Sequence, residues 1–162
     1  MNEEIVIREY IPGDPSKVTF FYYKLYEKQF NFNPIIERYF MEGMIELFDH
    51  PQGSQLWVVE KGNEVIGSIA IIKKADKEAQ LRWFGLDESL QGMGMGTKLM
   101  RLAMDFCKEK DYIHIVLWTI DILKPARHLY SKFGFRLTET KPNNEWARNL
   151  IVEEKWEYQG DK

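Results

Sequence analysis

Residues 90–97 read "LQGMGMGT": Leu90, Gln91, Gly92, Met93, Gly94, Met95, Gly96 and Thr97, three glycines at alternate positions directly before a run with helical spacing. Glycine inside a helix costs about 1 kcal/mol relative to alanine, so three at a helix entrance point to a demand on the backbone. Successive N–H groups at a helix start form an anion site, strengthened by the helix dipole. Glycine lets a phosphate approach without a Cβ in the way. The spacing excludes two familiar phosphate loops. A P-loop needs Gly-Lys-Ser/Thr, whereas the order here is Gly96-Thr97-Lys98. The dinucleotide fingerprint G-x-G-x-x-G, started at Gly92, meets Thr97 where its third glycine belongs. A glycine-rich turn without a ligand is the plain alternative.

Working outward, "AQLRWFGL" before the turn reads as a strand, and "SQLWVVEKGNEVIGSIAIIKK" as two strands hinged on Gly62-Asn63. "EIVIREY" alternates as a strand and ends at Pro12, Gly13 and Pro15, with Asp14 or Ser16 able to cap the next helix. Residues 16–31 and 34–48 are predicted as two helices rich in aromatic residues. After the turn, Leu99, Met100, Leu102, Ala103, Phe106 and Cys107 fall on a helical stripe up to Lys110. "YIHIVLWTI" reads as a buried strand, Pro125 opens a helix through Phe133, and "GFRLTET" and "NLIVEEKWEY" are the last strands. The order β-αα-βββ-α-β-α-ββ predicts an α/β fold: a mixed, mostly antiparallel sheet flanked by helices, in a single domain over 1–162.

The 162 residues are 44% hydrophobic and 29% charged, ordinary for a globular domain, and the net charge of −3 argues against nucleic acid or an anionic membrane as partner. Cys107 is the sole cysteine, which suits a reducing compartment. No apolar run approaches the roughly 20 residues of a membrane helix, and the acidic start lacks a signal-like core. These features predict a cytoplasmic protein. His50, His114 and His128 show no metal spacing, so no metal is expected.

The pattern Gln-x-x-Gly-x-Gly between a strand and a helix resembles the acyl-CoA signature of the GNAT N-acetyltransferase family. "ARHLYSKFGF", from Ala126 to Phe135, resembles that family's helix-plus-strand signature with its tyrosine and Gly-Phe pair. "LRWFGL" and "ARHLYSKFGFRL" are especially similar to acetyltransferase domains found with MarR-type regulators, although the chain has no room for a winged helix. The resemblance implies acetyl-CoA as co-substrate and an N-acetyltransferase domain. It implies a bulge at Phe84-Gly85-Leu86 that splays this strand from "YIHIVLWTI", with pantetheine in the split. The pyrophosphate would take N–H groups from Gln91, Gly92, Met93, Gly94, Met95, Gly96 and Thr97, with the methionines as apolar cover.

Acetyl transfer to a lysine-like amine, pKa about 10.4, requires a proton acceptor, a donor to the oxyanion and help for the departing thiolate, pKa about 8.5 as the thiol. Tyr130 holds the motif position of the family's tyrosine acid. The Leu86 backbone N–H is the implied oxyanion donor. Where many members carry a glutamate base the chain has Gln80, leaving Glu78, two residues earlier on the same face, to act through water. Leu123 stands where related sequences often have an asparagine that contacts the coenzyme. On the acceptor side, Tyr26, Phe30 and Phe32 are candidates for the amine pocket, together with the loop "KPNNEWARN". Arg82 is expected to bind an acceptor carboxylate or to pair with a neighbouring strand. The acceptor, a small-molecule or peptide amine, is not named by the sequence, and a homodimer is left open. A non-catalytic acyl-CoA sensor or interaction module is the competing reading.

Overall fold

The computed structural model describes residues 4–160, and within them not the side chains of Gln29 and Phe30. The predicted element order is found. Strand β1 is Ile5–Glu9, helix α1 Asp14–Phe30 and helix α2 Ile36–Ile45, the last running into a 3-10 turn, Glu46–Phe48. Then come β2 Gln55–Lys61, β3 Glu64–Ala75, β4 Glu78–Leu86, α3 Met95–Glu109, β5 His114–Ile120, α4 Lys124–Lys132, β6 Arg136–Asn143 and β7 Ile151–Gln159.

Among the described residues these seven strands form one sheet in the order β1-β2-β3-β4-β5-β7-β6. All neighbours are antiparallel except β4 and β5. The β2–β3 hairpin turns on Gly62 and Asn63, both at positive φ (53° and 64°), as a two-residue turn matched to strand twist requires. The sheet separates two apolar layers. On one face Met95, Leu99, Met100, Ala103 and Cys107 of α3 pack on Ile69, Ile71, Leu81 and Ile115. Leu102, expected in that stripe, is 37% exposed. It lies off the contact arc, because the i, i+4 spacing of Leu99, Ala103 and Cys107 already fills the narrow face toward the sheet. On the other face Val18 and Tyr22 of α1 and Met44 of α2 cover Leu56, Val58, Ala70 and Ile72.

Asp14 is 1% exposed and does not cap through its side chain; Gly13 is the N-cap residue at φ 98°. The carboxylate instead accepts the Ile11 N–H at 2.8 Å and pairs with Arg8 at 2.6 Å, and Arg8 also donates to Glu60 of β2. This network ties the start of α1 to the sheet edge. No described helix is long and apolar enough to cross a membrane.

Candidate active site

Strands β4 and β5 pair only at Glu78↔His114, Ala79↔Ile115 and Gln80↔Val116. From Leu81 onward β4 stays with β3, while Leu117 and its successors pair with β7. The cause is local. Trp83 sits at φ 57°, and the β3–β4 register slips between Ser68↔Gly85 and Ala70↔Arg82. Such a bulge bends its strand. The buried Ser68 hydroxyl donates to the Trp83 carbonyl at 2.6 Å and holds it there. The bulge therefore lies at Trp83-Phe84, not at the expected Phe84-Gly85-Leu86. A left-handed tryptophan is unfavourable by itself and persists because Ser68 and the packed ring determine it.

The parting strands open a cleft of about 910 Å³. The turn before α3 stands at one end. Gly92 and Gly94 have φ of 78° and 73°, so both need glycine for conformation. Gly96 differs: a Cβ there would come 3.2 Å from Leu129 and 3.5 Å from Phe84, so its role is close packing. The first helical bond runs from Lys98 N–H to Gly94 O, which leaves the amides of Met95, Gly96 and Thr97 at the open helix end. The Gln91 N–H is bonded to Glu88 O at 3.1 Å, so the expected run of N–H donors is shorter at its start. Phe84, Gly85, Leu86, Gln91, Gly92, Gly94, Met95, Gly96 and Thr97 all line the cleft. The Met95 side chain itself is buried in the core, and Met93 is 52% exposed outside the cleft lining.

Asp87 N–H bonds to Ile66 O at 2.8 Å. Successive N–H groups of an antiparallel strand alternate sides, so the Leu86 N–H points away from β3 into the split. Tyr130 of α4, 4% exposed, lines the same cleft, with its ring among Phe84, Phe135 and Trp156. Burial pushes its phenol well above the ordinary value, the nearby Tyr26 adds to this, and a hydrogen bond with Thr119 opposes both. Tyr130 is therefore a protonated donor throughout the physiological range.

A cleft with backbone donors at one end and a protonated phenol within it agrees with what the family comparison finds. The model of the acetyltransferase (GNAT) family matches residues 20–135. The chain belongs to the GNAT acetyltransferase family. Human N-acetyltransferase 8B is 31% identical over 101 residues, 59% of this chain and 44% of that protein. Rattus norvegicus N-acetyltransferase 8F1 is 34% identical over 87 residues, 51% of this chain and 39% of that protein. The matches thus span less than half the length of these relatives. A GNAT acetyltransferase from Staphylococcus aureus Mu50 superposes with a TM-score of 0.78 at 20% identity, covering 98% of this chain and 100% of that one. An acetyltransferase from Salmonella typhimurium, solved with its cofactor acetyl-CoA, gives 0.73 at 15% identity, covering 98% and 95%. Both show the same fold.

The part of this GNAT cleft formed by α1, α2 and the β6–β7 loop is aromatic. Tyr26 lies 5.2 Å from Phe32 and 5.4 Å from Phe40 between ring centroids, and Tyr39 lies 5.3 Å from Trp146 of the β6–β7 loop. Asn143 holds that loop by accepting the Glu145 and Trp146 N–H groups. Tyr26 and Phe32 line the cleft; the side chain of Phe30 lies outside the described residues. Arg82 lines it too, but its guanidinium is engaged by Glu46, by the Gly43 carbonyl and by Gln80 Oε1 at 2.8 Å. It pairs with the turn after α2 rather than with a neighbouring strand, and it is not free for an acceptor carboxylate.

Glu78 does not reach the cleft. It sits where β4 and β5 are still paired, its side chain 53% exposed and 3.4 Å from His114 Nδ1. Alternation puts it on the strand face of Gln80, but the split begins only after Gln80. Thr119 and Glu153, which the sequence reading did not single out, also line the cleft, as does Tyr22, one of the aromatics that could wall an amine pocket. The signal for Glu153 was the adjacent pair Glu153-Glu154 in a strand that has a neighbour on either side: alternation must send one acid to each face. Glu154, 4% exposed, meets Arg127 at 3.0 Å, and Glu153 takes the other face. No group of acids, histidines and cysteine suited to a metal occurs among the described residues.

Proposed function

We propose that the chain is an acetyl-CoA-dependent N-acetyltransferase that moves the acetyl group directly to a primary amine, with residues 1–162 acting as one domain akin to those found with MarR-type regulators. The observation that carries the reading is the continuity of one cleft from the start of α3 to Tyr130.

Residues that fit the coenzyme are present: a helix end with uncommitted N–H groups, left-handed glycines at Gly92 and Gly94, and a parted strand pair. When bound, acetyl-CoA supplies the acetyl group as an activated thioester. The amides of Met95, Gly96 and Thr97 would hold its anionic end, and the edges of β4 and β5 would flank its arm. The Leu86 N–H donates to the carbonyl oxygen as negative charge develops there. Tyr130 keeps a proton on its oxygen and delivers it where the thiol leaves. The ammonium first gives one proton to solvent; as the C–N bond forms and the C–S bond breaks, the nitrogen gives up a second proton, the sulfur takes the one from Tyr130, and the phenol regains its own, leaving amide, free thiol and one proton in solvent. Transfer read as free thiol, with acetyl-CoA against a panel of amines, tests the reading.

A second reading is favoured by one feature. Gln80 stands where a carboxylate base is expected, and its amide oxygen is bound to Arg82. A non-catalytic acyl-CoA sensor would bind the coenzyme with unchanged affinity and give no amine-dependent thiol.

A further inference from the structure

Resting on the N-acetyltransferase reading, we infer that the acceptor is an amine cation with a flat apolar body and no carboxylate beside the amine, and that Glu153 receives its ammonium group. Glu153 is the only carboxylate among the described residues that line the cleft. It lies on β7 opposite Ile120, whose side chain belongs to the apolar cluster of Phe32, Ile36 and Ala147. Its place is thereby on the acceptor side of the sheet. Asn143 Nδ2 donates to Glu153 Oε2 at 3.1 Å, while Asn143 Oδ1 fixes the Trp146 loop. One amide thus sets both the carboxylate and an aromatic wall. None of the ion pairs among the described residues uses Glu153. Lys141 stands across from it on β6, in an exposed strand.

The surroundings select the rest of the acceptor. Tyr26, Phe32, Tyr39, Phe40 and Trp146 offer ring faces to an apolar body, and ring faces also attract a cation. A carboxylate next to the amine would meet Glu153 as a like charge. Its natural counter-ion, Arg82, is already held by Glu46 and Gln80. The other basic side chains of the lining, His128 and Lys132, are on α4.

The test compares tyramine with L-tyrosine, which differ by the carboxylate, and titrates phenethylamine into coenzyme A-saturated protein by calorimetry. Expected are a kcat/KM at least about 100-fold higher for tyramine and a phenethylamine Kd weakened roughly 10- to 100-fold by Glu153→Gln. Coenzyme A affinity stays unchanged in that variant. The wild-type comparison needs no variant and decides even if Glu153→Gln misfolds. Equal use of tyrosine, failure of both amines to bind or react, or unchanged phenethylamine binding in folded Glu153→Gln overturns the assignment while coenzyme A still stabilises the protein. Loss of that stabilisation in the wild type removes the acetyltransferase reading as well.

Discussion

A side chain on Gly85 would run into Tyr22: its Cβ would stand 2.9 Å from Tyr22 Cε2 and 3.2 Å from the Tyr22 hydroxyl. Tyr22 in turn packs edge-on to Trp83 at 5.1 Å, the residue that makes the bulge. The opening of the sheet thus depends on a ring from α1 seated against a bare backbone. Gly85→Ala should cost about 1–3 kcal/mol as an overpacked site. Tyr22→Leu, destabilising by itself, should recover part of that loss in the double variant. Thermal melts of the four proteins measure the coupling; strict additivity would separate the two residues.

At Gly94 nothing lies within 4 Å of a would-be Cβ, and φ is 73°. The demand is conformational, so Gly94→Val should strain or rearrange the turn at about 1–3 kcal/mol. The fold, anchored elsewhere, should persist while the coenzyme A Kd rises by roughly tenfold or more. Calorimetric titration of the folded variant checks this.

Tyr130→Phe keeps the ring between Phe84 and Trp156 and removes the hydroxyl. The expected result is a fall in kcat of about 10²–10⁴ with little change in coenzyme affinity. The loss should shrink with an acyl donor whose leaving thiol is more acidic. Wild-type kcat with chemistry rate-limiting would assign the phenol to packing alone.

Burial pushes the Asp14 carboxyl up, but Arg8 and the Ile11 N–H outweigh it and hold it below the ordinary carboxylate value. A depressed carboxylate stabilises the fold fully above its unfolded pKa of about 3.9 and ceases to do so as pH falls through the folded pKa. The melting temperature should therefore decline below about pH 4. Asp14→Asn should be less stable at neutral pH and show a flatter acid limb, as a pH series of melts would read.

The turn at Gly92 and Gly94 and the hairpin at Gly62-Asn63 were legible because each is a local demand written in residue type, whereas Tyr130 was singled out by the resemblance of "ARHLYSKFGF" to a family motif. The bulge was not: Trp83 takes its left-handed conformation from the Ser68 hydrogen bond across the sheet. Glu78 was misplaced because the point where β4 leaves β5 is a property of register, not of alternation. Glu153 escaped notice because two adjacent acids in an inner strand do not say which of them faces the core. Arg82 found Glu46, a partner brought near only by the packing of α2 on the sheet.

The central claim is that the parted strands and the α3 turn hold coenzyme A, and the direct measurement is thermal stability with and without it. At 100 times its Kd the ligand should stabilise the protein by about 2.7 kcal/mol, a rise of roughly 5–10 °C for a chain of this size. ATP and NAD at equal concentration should give no comparable rise. An unchanged melting temperature in millimolar coenzyme A would contradict the account.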